Sequence, residues 1–272
     1  MITRTRPRTQ PAGPPPGDAG RRLRVLGGLA GLAGPVTFTA AWAVESLLQT
    51  GHAATEVQIS GLAAPDARDP WIMITGFLVL GGCSVVFGTA LHRELGGSGR
   101  EGRAGQPGRA GQPGRAGQPG REGQPGREGQ PGREGQPGRA GAGPRLIQAA
   151  GLLTVAAGLL RRDQMLLTDP AHESWHNHAH DVVSAAIYVA LIAAPLLLAR
   201  RFRGDPRWSP LRWPLVGAGL VTAAVLVVFF TGAFSSSAGL LQRIGVSVPL
   251  GAVCLVAARL LAAGREPQPG SP

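Results

Sequence analysis

Six long apolar stretches, separated by polar ones, organise this chain of 272 residues. Four of them are free of charge: Val25–Val44, Trp71–Leu91, Val182–Ala199 and Trp213–Phe234. A helix rises about 1.5 Å per residue, so roughly 20 apolar residues carry it across the hydrocarbon core of a bilayer. Two further stretches, Leu146–Leu160 and Ile244–Ala258, are shorter. They reach spanning length only by drawing in polar neighbours. For the third stretch these are Arg161, Arg162 and Asp163; for the sixth they are Gln242 and Arg243. The pattern predicts an all-α, six-helix transmembrane bundle. Pro35, Pro195 and Pro249 fall inside the expected helices, where packed neighbours can satisfy the freed backbone groups. The first stretch also resembles a cleavable signal peptide, with basic residues before it and Ala41-Trp42-Ala43 near its end. Its length favours a retained span.

Charge gives these helices a direction. All 27 basic residues are arginine, and 23 of them fall in residues 1–24, 92–145, 200–212 and 259–272. Those segments lie on one side of an alternating topology. Only Arg68, Arg161, Arg162 and Arg243 lie elsewhere, whereas the 16 acids divide evenly. The positive-inside rule therefore places both termini in the cytoplasm. A formal charge of +11 would suggest nucleic acid in a soluble chain. Beside six apolar runs it reads as membrane anchoring, with membrane lipids as partners and no nucleic acid. Cys83 and Cys254 sit within apolar runs and read as small core residues.

Between the second and third helices, glycine recurs at every third position from Gly96 to Gly141. Six copies of Gly-Gln-Pro-Gly-Arg-(Ala/Glu) begin at Gly105. This is formally a collagen pattern, but a triple helix of that length would reach roughly 150 Å from a bundle that must hold both its ends. A flexible coil spans about 35–40 Å and fits. The division is a basic tail over 1–24, helices over 25–95, a disordered cytoplasmic loop over 96–145, helices over 146–263 and a tail over 264–272.

Candidate chemistry lies on the opposite side. Four of the six histidines, His172, His176, His178 and His180, lie within nine residues of one another. If this stretch is helical, His176 and His180 share a face, continued into the membrane by Ser184 and Tyr188. Such spacing lets one helix offer two imidazoles to a metal, with Asp163, Asp169, His172 or the Ser60 region as a third ligand. The same residues could equally hydrogen-bond or pair with Asp163, Asp169 and Glu173, or respond to pH. Glu45, Arg162, Asp163 and Arg243 stand near the ends of the first, third and sixth helices, with Asp181 at the start of the fourth. Charges there are costly unless paired or facing a wet cavity, so a network of ion pairs is expected. Ser60, before the second helix, is a further polar candidate or a turn residue.

The motifs Gly34-Pro35, Gln58-Ile59-Ser60-Gly61-Leu62, Gly76-Phe77, Arg162-Asp163, His176 with His180-Asp181, and Gly239-Leu240-Leu241-Gln242-Arg243-Ile244 are ordered as in a known family. In this order the chain resembles bacterial six-span membrane proteins of domain-of-unknown-function family 998. Ala63 stands where that family's motif has glycine. The resemblance implies a six-helix bundle in a bacterial plasma membrane and no established activity. A more distant likeness is to membrane lipid hydrolases of the alkaline ceramidase type. That likeness implies zinc, with His176 and His180 as ligands and Asp163 and Ser60 as catalytic groups. Those enzymes carry histidines in their last span, and the sixth stretch here has none. Two functions are thus expected: a cavity on the outer side binding a lipid or small molecule, or a metal-dependent lipid hydrolase using the same residues.

Overall fold

The computed structural model describes residues 17–104, 141–166 and 173–263. Most of the basic tail, most of the triplet-repeat loop, Asp169, His172 and the C-terminal tail lie outside the described residues. The fold is all-α. Its helices are α1 (Gly17–Leu48), α2 (Pro70–Ala104), α3 (Ala142–Leu159), α4 (Trp175–Phe202), α5 (Arg212–Phe230) and α6 (Ala238–Ala262). Five of these are long and apolar enough to cross a membrane. Helix α3 is not among them. It has 18 residues, and Arg145, Gln148 and Thr154 dilute its apolar character.

Successive helices run antiparallel. Gly27 of α1 faces Ala90 of α2, whereas Gly34 faces Cys83; Gly143 of α3 faces Leu198 of α4. Each helix packs on the next, and α6 packs back on α1. The helices therefore form a closed ring, with α3 held between α2 and α4. Large apolar residues such as Leu29, Val36, Val182, Val189, Leu220 and Val227 remain exposed on the outside of the ring. A water-soluble domain rarely leaves that much apolar surface bare, while a lipid-facing one does so by necessity. Exposed Trp71 and Trp175 begin α2 and α4 at one end, and exposed Trp213 begins α5 at the other. Tryptophan at both ends of an apolar band marks the two membrane interfaces. The chain is a multi-pass membrane protein.

Two buried clusters fill the ring. One surrounds Phe87, Leu91, Phe202, Trp208 and Leu260. The other surrounds Phe38, Leu62, Met73 and Phe77. Lipid tails are as apolar as these side chains, so the helices associate through close packing and polar contacts rather than escape from water.

The helix limits depart from the sequence pattern at two places. Helix α3 gains length at Ala142–Arg145 and stops before Arg161, Arg162 and Asp163, which the pattern had drawn into it. The backbone of Leu160 leaves the helical region there, and His180 takes the released carbonyls. Helix α5 ends at Phe230 rather than Phe234, because Gly232 adopts φ +68° and turns the chain. At the other short run the polar neighbours do join: α6 includes both Gln242 and Arg243.

Candidate functional site

The ends of α1, α3 and α5 and the starts of α2, α4 and α6 meet at one end of the ring. A 310 turn over Ile59–Ala63 enters this end, and all five of its residues are buried. Gly61 makes that possible: a methyl group there would strike the Met165 carbonyl of the segment crossing above. The Met165 N–H is in turn bound by the Asp66 carboxylate at 2.8 Å.

Gln242 of α6 ties this turn to α4. Its side-chain carbonyl accepts from the Ile59 N–H, and its amide group donates to the Tyr188 hydroxyl at 2.7 Å. Since Ile59 can only donate, the orientation of the Gln242 amide is fixed. Across the ring, the Nδ1 of His180 lies 2.6 Å from the Leu160 carbonyl and 3.1 Å from that of Ala157. Two carbonyl neighbours require a proton on Nδ1. In the neutral ring the opposite nitrogen, Nε2, is an acceptor, and it is buried without a protein partner.

Arg162 stands above His180 and is 5% exposed. Its guanidinium donates to Gln58 at 2.6 Å and to Asn177 at 3.5 Å, and it pairs with Asp181 at 3.5 Å. Asn177, fully buried, donates to Glu173 at 3.0 Å and to Asp181 at 3.4 Å. The arginine is thus held by two neutral acceptors and one half-exposed carboxylate.

These groups surround a cavity in three successive chambers. The vestibule, about 220 Å³, is bounded by Gln58, Arg162, Asp181 and the aromatic pair Phe229 and Phe230. An inner chamber of about 80 Å³ is walled by Phe38, Phe77, Leu80, Thr154, Ile187 and Val246. A deep chamber of about 50 Å³ follows, walled by Phe87, Ile147, Pro195, Leu198, Pro249 and Val256. Ser60, His180, Ser184, Tyr188 and Gln242 line both the vestibule and the inner chamber and form the neck between them. Ser84, Ala150, Leu191 and Leu250 line both inner chambers. Along α4 the wall runs from Asp181 to Leu198, a rise of about 25 Å.

The structure brings Ser60, His180, Arg162 and Asp181 to this cavity and places the other candidates elsewhere. Both Asp163 oxygens are taken by Ser174, one by its N–H and one by its hydroxyl, each at 2.6 Å. Those two bonds hold the Asp163 carboxyl below the usual aspartate range. Ser174 caps α4 in the same turn. His176 is exposed, with its ring 3.9 Å from that of Trp175. It therefore does not share His180's interior. Among the described residues no three His, Cys, Asp or Glu side chains gather around a point where they could hold a metal.

The expected charge network takes another form. Arg243 donates to the Val57 carbonyl at 2.8 Å and the Ser46 hydroxyl at 2.7 Å, and lies 5.3 Å over the Trp42 ring. Glu45, fully buried, accepts from Gln49 at 2.5 Å and from the Asp69 N–H at 3.1 Å. Hydrogen bonds to neutral groups thus hold most of these charges, and Arg162–Asp181 is the cross-element pair among them. Gln58, Asn177 and Gln242 were not singled out as site residues. For Gln242 a signal existed: an amide inside an otherwise apolar helix is costly unless it has a partner.

A closed ring of six helices, five of them long and apolar enough to cross a membrane, with a polar-mouthed, apolar-walled cavity at one end defines a polytopic membrane protein with a built-in amphipathic chamber. The chain belongs to the family described as "Protein of unknown function (DUF998)", whose model matches residues 32–108 and 132–259. The matched parts meet the repeat from both sides and leave out its middle. No curated protein and no solved structure matches the chain.

Proposed function

We propose that the protein is a six-span protein of a bacterial plasma membrane, with both termini cytoplasmic, that binds a lipid or similar amphiphile in an outward-facing cavity. The observation that carries this reading is the polarity gradient along the cavity. Arg162 and Asp181 stand at the mouth, neutral hydrogen-bonding groups line the neck, and apolar side chains line the two chambers beyond. Pockets for small molecules are typically apolar with a few placed polar groups. Here the polar groups sit at one end only, which matches a molecule with a head and a tail. The arginine asymmetry supports the orientation, since the mouth lies at the end away from most arginines. A metal-dependent hydrolase would need ligands that the described residues do not bring together.

Ala150 lines both the inner and the deep chamber, so Ala150→Phe would fill the passage between them. Extraction of lipid from purified wild-type protein and from this variant tests the reading. Wild type should carry roughly one tightly held amphiphile per chain and the variant much less, with overpacking costing about 1–3 kcal/mol of stability. Equal lipid in both, when the variant is folded, would refute the proposal.

A further inference from the structure

The chemistry of the neck restricts the head of that ligand, a restriction that rests on the proposal of an amphiphile-binding cavity. As a neutral ring, His180 offers only a lone pair on Nε2, because its one proton is committed to the α3 carbonyls. Buried at 2% exposure with no partner on Nε2, it is aimed at something that donates. Tyr188 is the reverse. Its oxygen already accepts from Gln242, and its own O–H hydrogen remains to be given. Ser184 lies one turn below His180 and one turn above Tyr188 on the same face of α4 and also lines the cavity. From mouth to interior the wall therefore presents an acceptor, a hydroxyl and a donor. Leaving such groups unpaired in an apolar setting costs on the order of 1–3 kcal/mol each.

The vestibule gives a strongly charged head no free partner. Arg162 is already engaged by Gln58, Asn177 and Asp181. Asp181 is 48% exposed at the lip, where it would repel a phosphate or carboxylate. The deeper wall, in contrast, accommodates a chain: about 25 Å of α4 borders the cavity, longer than the roughly 15 Å of one leaflet's hydrocarbon.

We infer that the cavity takes a neutral single-chain lipid bearing a free hydroxyl and, below it, an acyl carbonyl, the arrangement of a monoacylglycerol. Its hydroxyl donates to His180 Nε2, its carbonyl accepts from Tyr188, and its chain occupies the two apolar chambers.

The test uses the full-length protein in detergent, with mono-oleoylglycerol, oleate at alkaline pH and oleyl alcohol as probes. Binding is read by competition against a fluorescent acyl probe. Mono-oleoylglycerol labelled with carbon-13 at its carbonyl is also followed by infrared spectroscopy. Mono-oleoylglycerol should bind most tightly. Tyr188→Phe should weaken it roughly three- to tenfold, the value of one lost hydrogen bond. The same variant should raise the labelled carbonyl frequency and leave oleyl alcohol, which has no carbonyl, nearly unaffected. Equal binding of all three probes, or a carbonyl band indifferent to Tyr188→Phe, would overturn the headgroup assignment while leaving the amphiphile reading intact. Failure of every probe to compete would overturn both.

Discussion

The two ends of the ring solve the same problem, closing a bundle of six helices, with different chemistry. At the arginine-rich end Glu94 binds Arg24 and Arg207, each at 2.9 Å. Arg259 donates to the Arg207 carbonyl at 3.0 Å, and buried Trp208 stacks on Phe202 at 4.9 Å. A carboxylate shared by two helices and a loop, over an aromatic plug, closes this end among the described residues. At the opposite end lie Glu45, Ser60, Arg162, Asn177, His180, Gln242 and Arg243, all of them buried polar residues. They are held mainly by amides, hydroxyls and carbonyls. Neutral partners fix a charge without filling the space around it, so polar groups can line a cavity there. One end is a clamp and the other an entrance.

The comparison is broken most forcefully at Arg243. Its guanidinium bonds a carbonyl and a hydroxyl and lies over a tryptophan ring. Arg243→Leu removes two hydrogen bonds made by a charged group, a loss of about 3 kcal/mol. Thermal unfolding of purified protein should show a large drop in Tm. Because Glu45 is held by Gln49 and Asp69 rather than by Arg243, adding Glu45→Gln should not restore it. Restoration would mean that an ion pair, not neutral bonding, holds this end too. The matching change at the clamp is Glu94→Gln. Its arginine partners are 31% exposed and hence screened, so the cost should be smaller, about 1 kcal/mol. Added salt should narrow the gap between Glu94→Gln and wild type, and amphiphile binding should stay unchanged. Loss of binding in Glu94→Gln would join the two ends functionally and defeat the distinction.

This difference also explains what the sequence could reveal. Apolar run length located the helices, five of which are long and apolar enough to cross a membrane, and arginine placement distinguished the two ends. Ser60, Arg162, His180 and Asp181 were legible as candidates because a polar residue beside or inside an apolar run is costly. Their partners were not. Nothing local reveals that Gln58 and Asn177 bind Arg162, since the three are brought together only when the ring closes. His176 and His180 looked equivalent by helical spacing. They separate because His180 packs against the frayed end of α3 while His176 faces outward beside Trp175. Spacing fixes which residues share a helix face, but only the neighbouring helix decides which part of that face is buried.

The smallest expected effect concerns the start of α4, where Asp163 and Ser174 set its entry into the mouth. Ser174 caps α4 by accepting from the Asn177 N–H, while its own N–H and hydroxyl serve Asp163. Ser174→Ala removes the cap and one of the two bonds to the carboxylate, at a cost of about 1 kcal/mol. The pH dependence identifies the source. Asp163 is held below the ordinary aspartate range, so it binds protons less readily in the folded than in the unfolded chain. Its contribution is complete above the unfolded value of about 3.9 and is lost as pH falls through the lower folded value. Thermal unfolding of wild type should therefore show an acid-side decline below about pH 4. Ser174→Ala should lose less on acidification, so that the two curves converge at low pH. Parallel curves would show that the bond from the Ser174 hydroxyl to Asp163 contributes nothing and that the loss of the cap accounts for the change. Asn177 lies one turn beyond that cap and carries a bond to Arg162. The convergence would therefore show a carboxylate held by neutral donors at this end, in contrast to the arginine-paired carboxylate at the clamp.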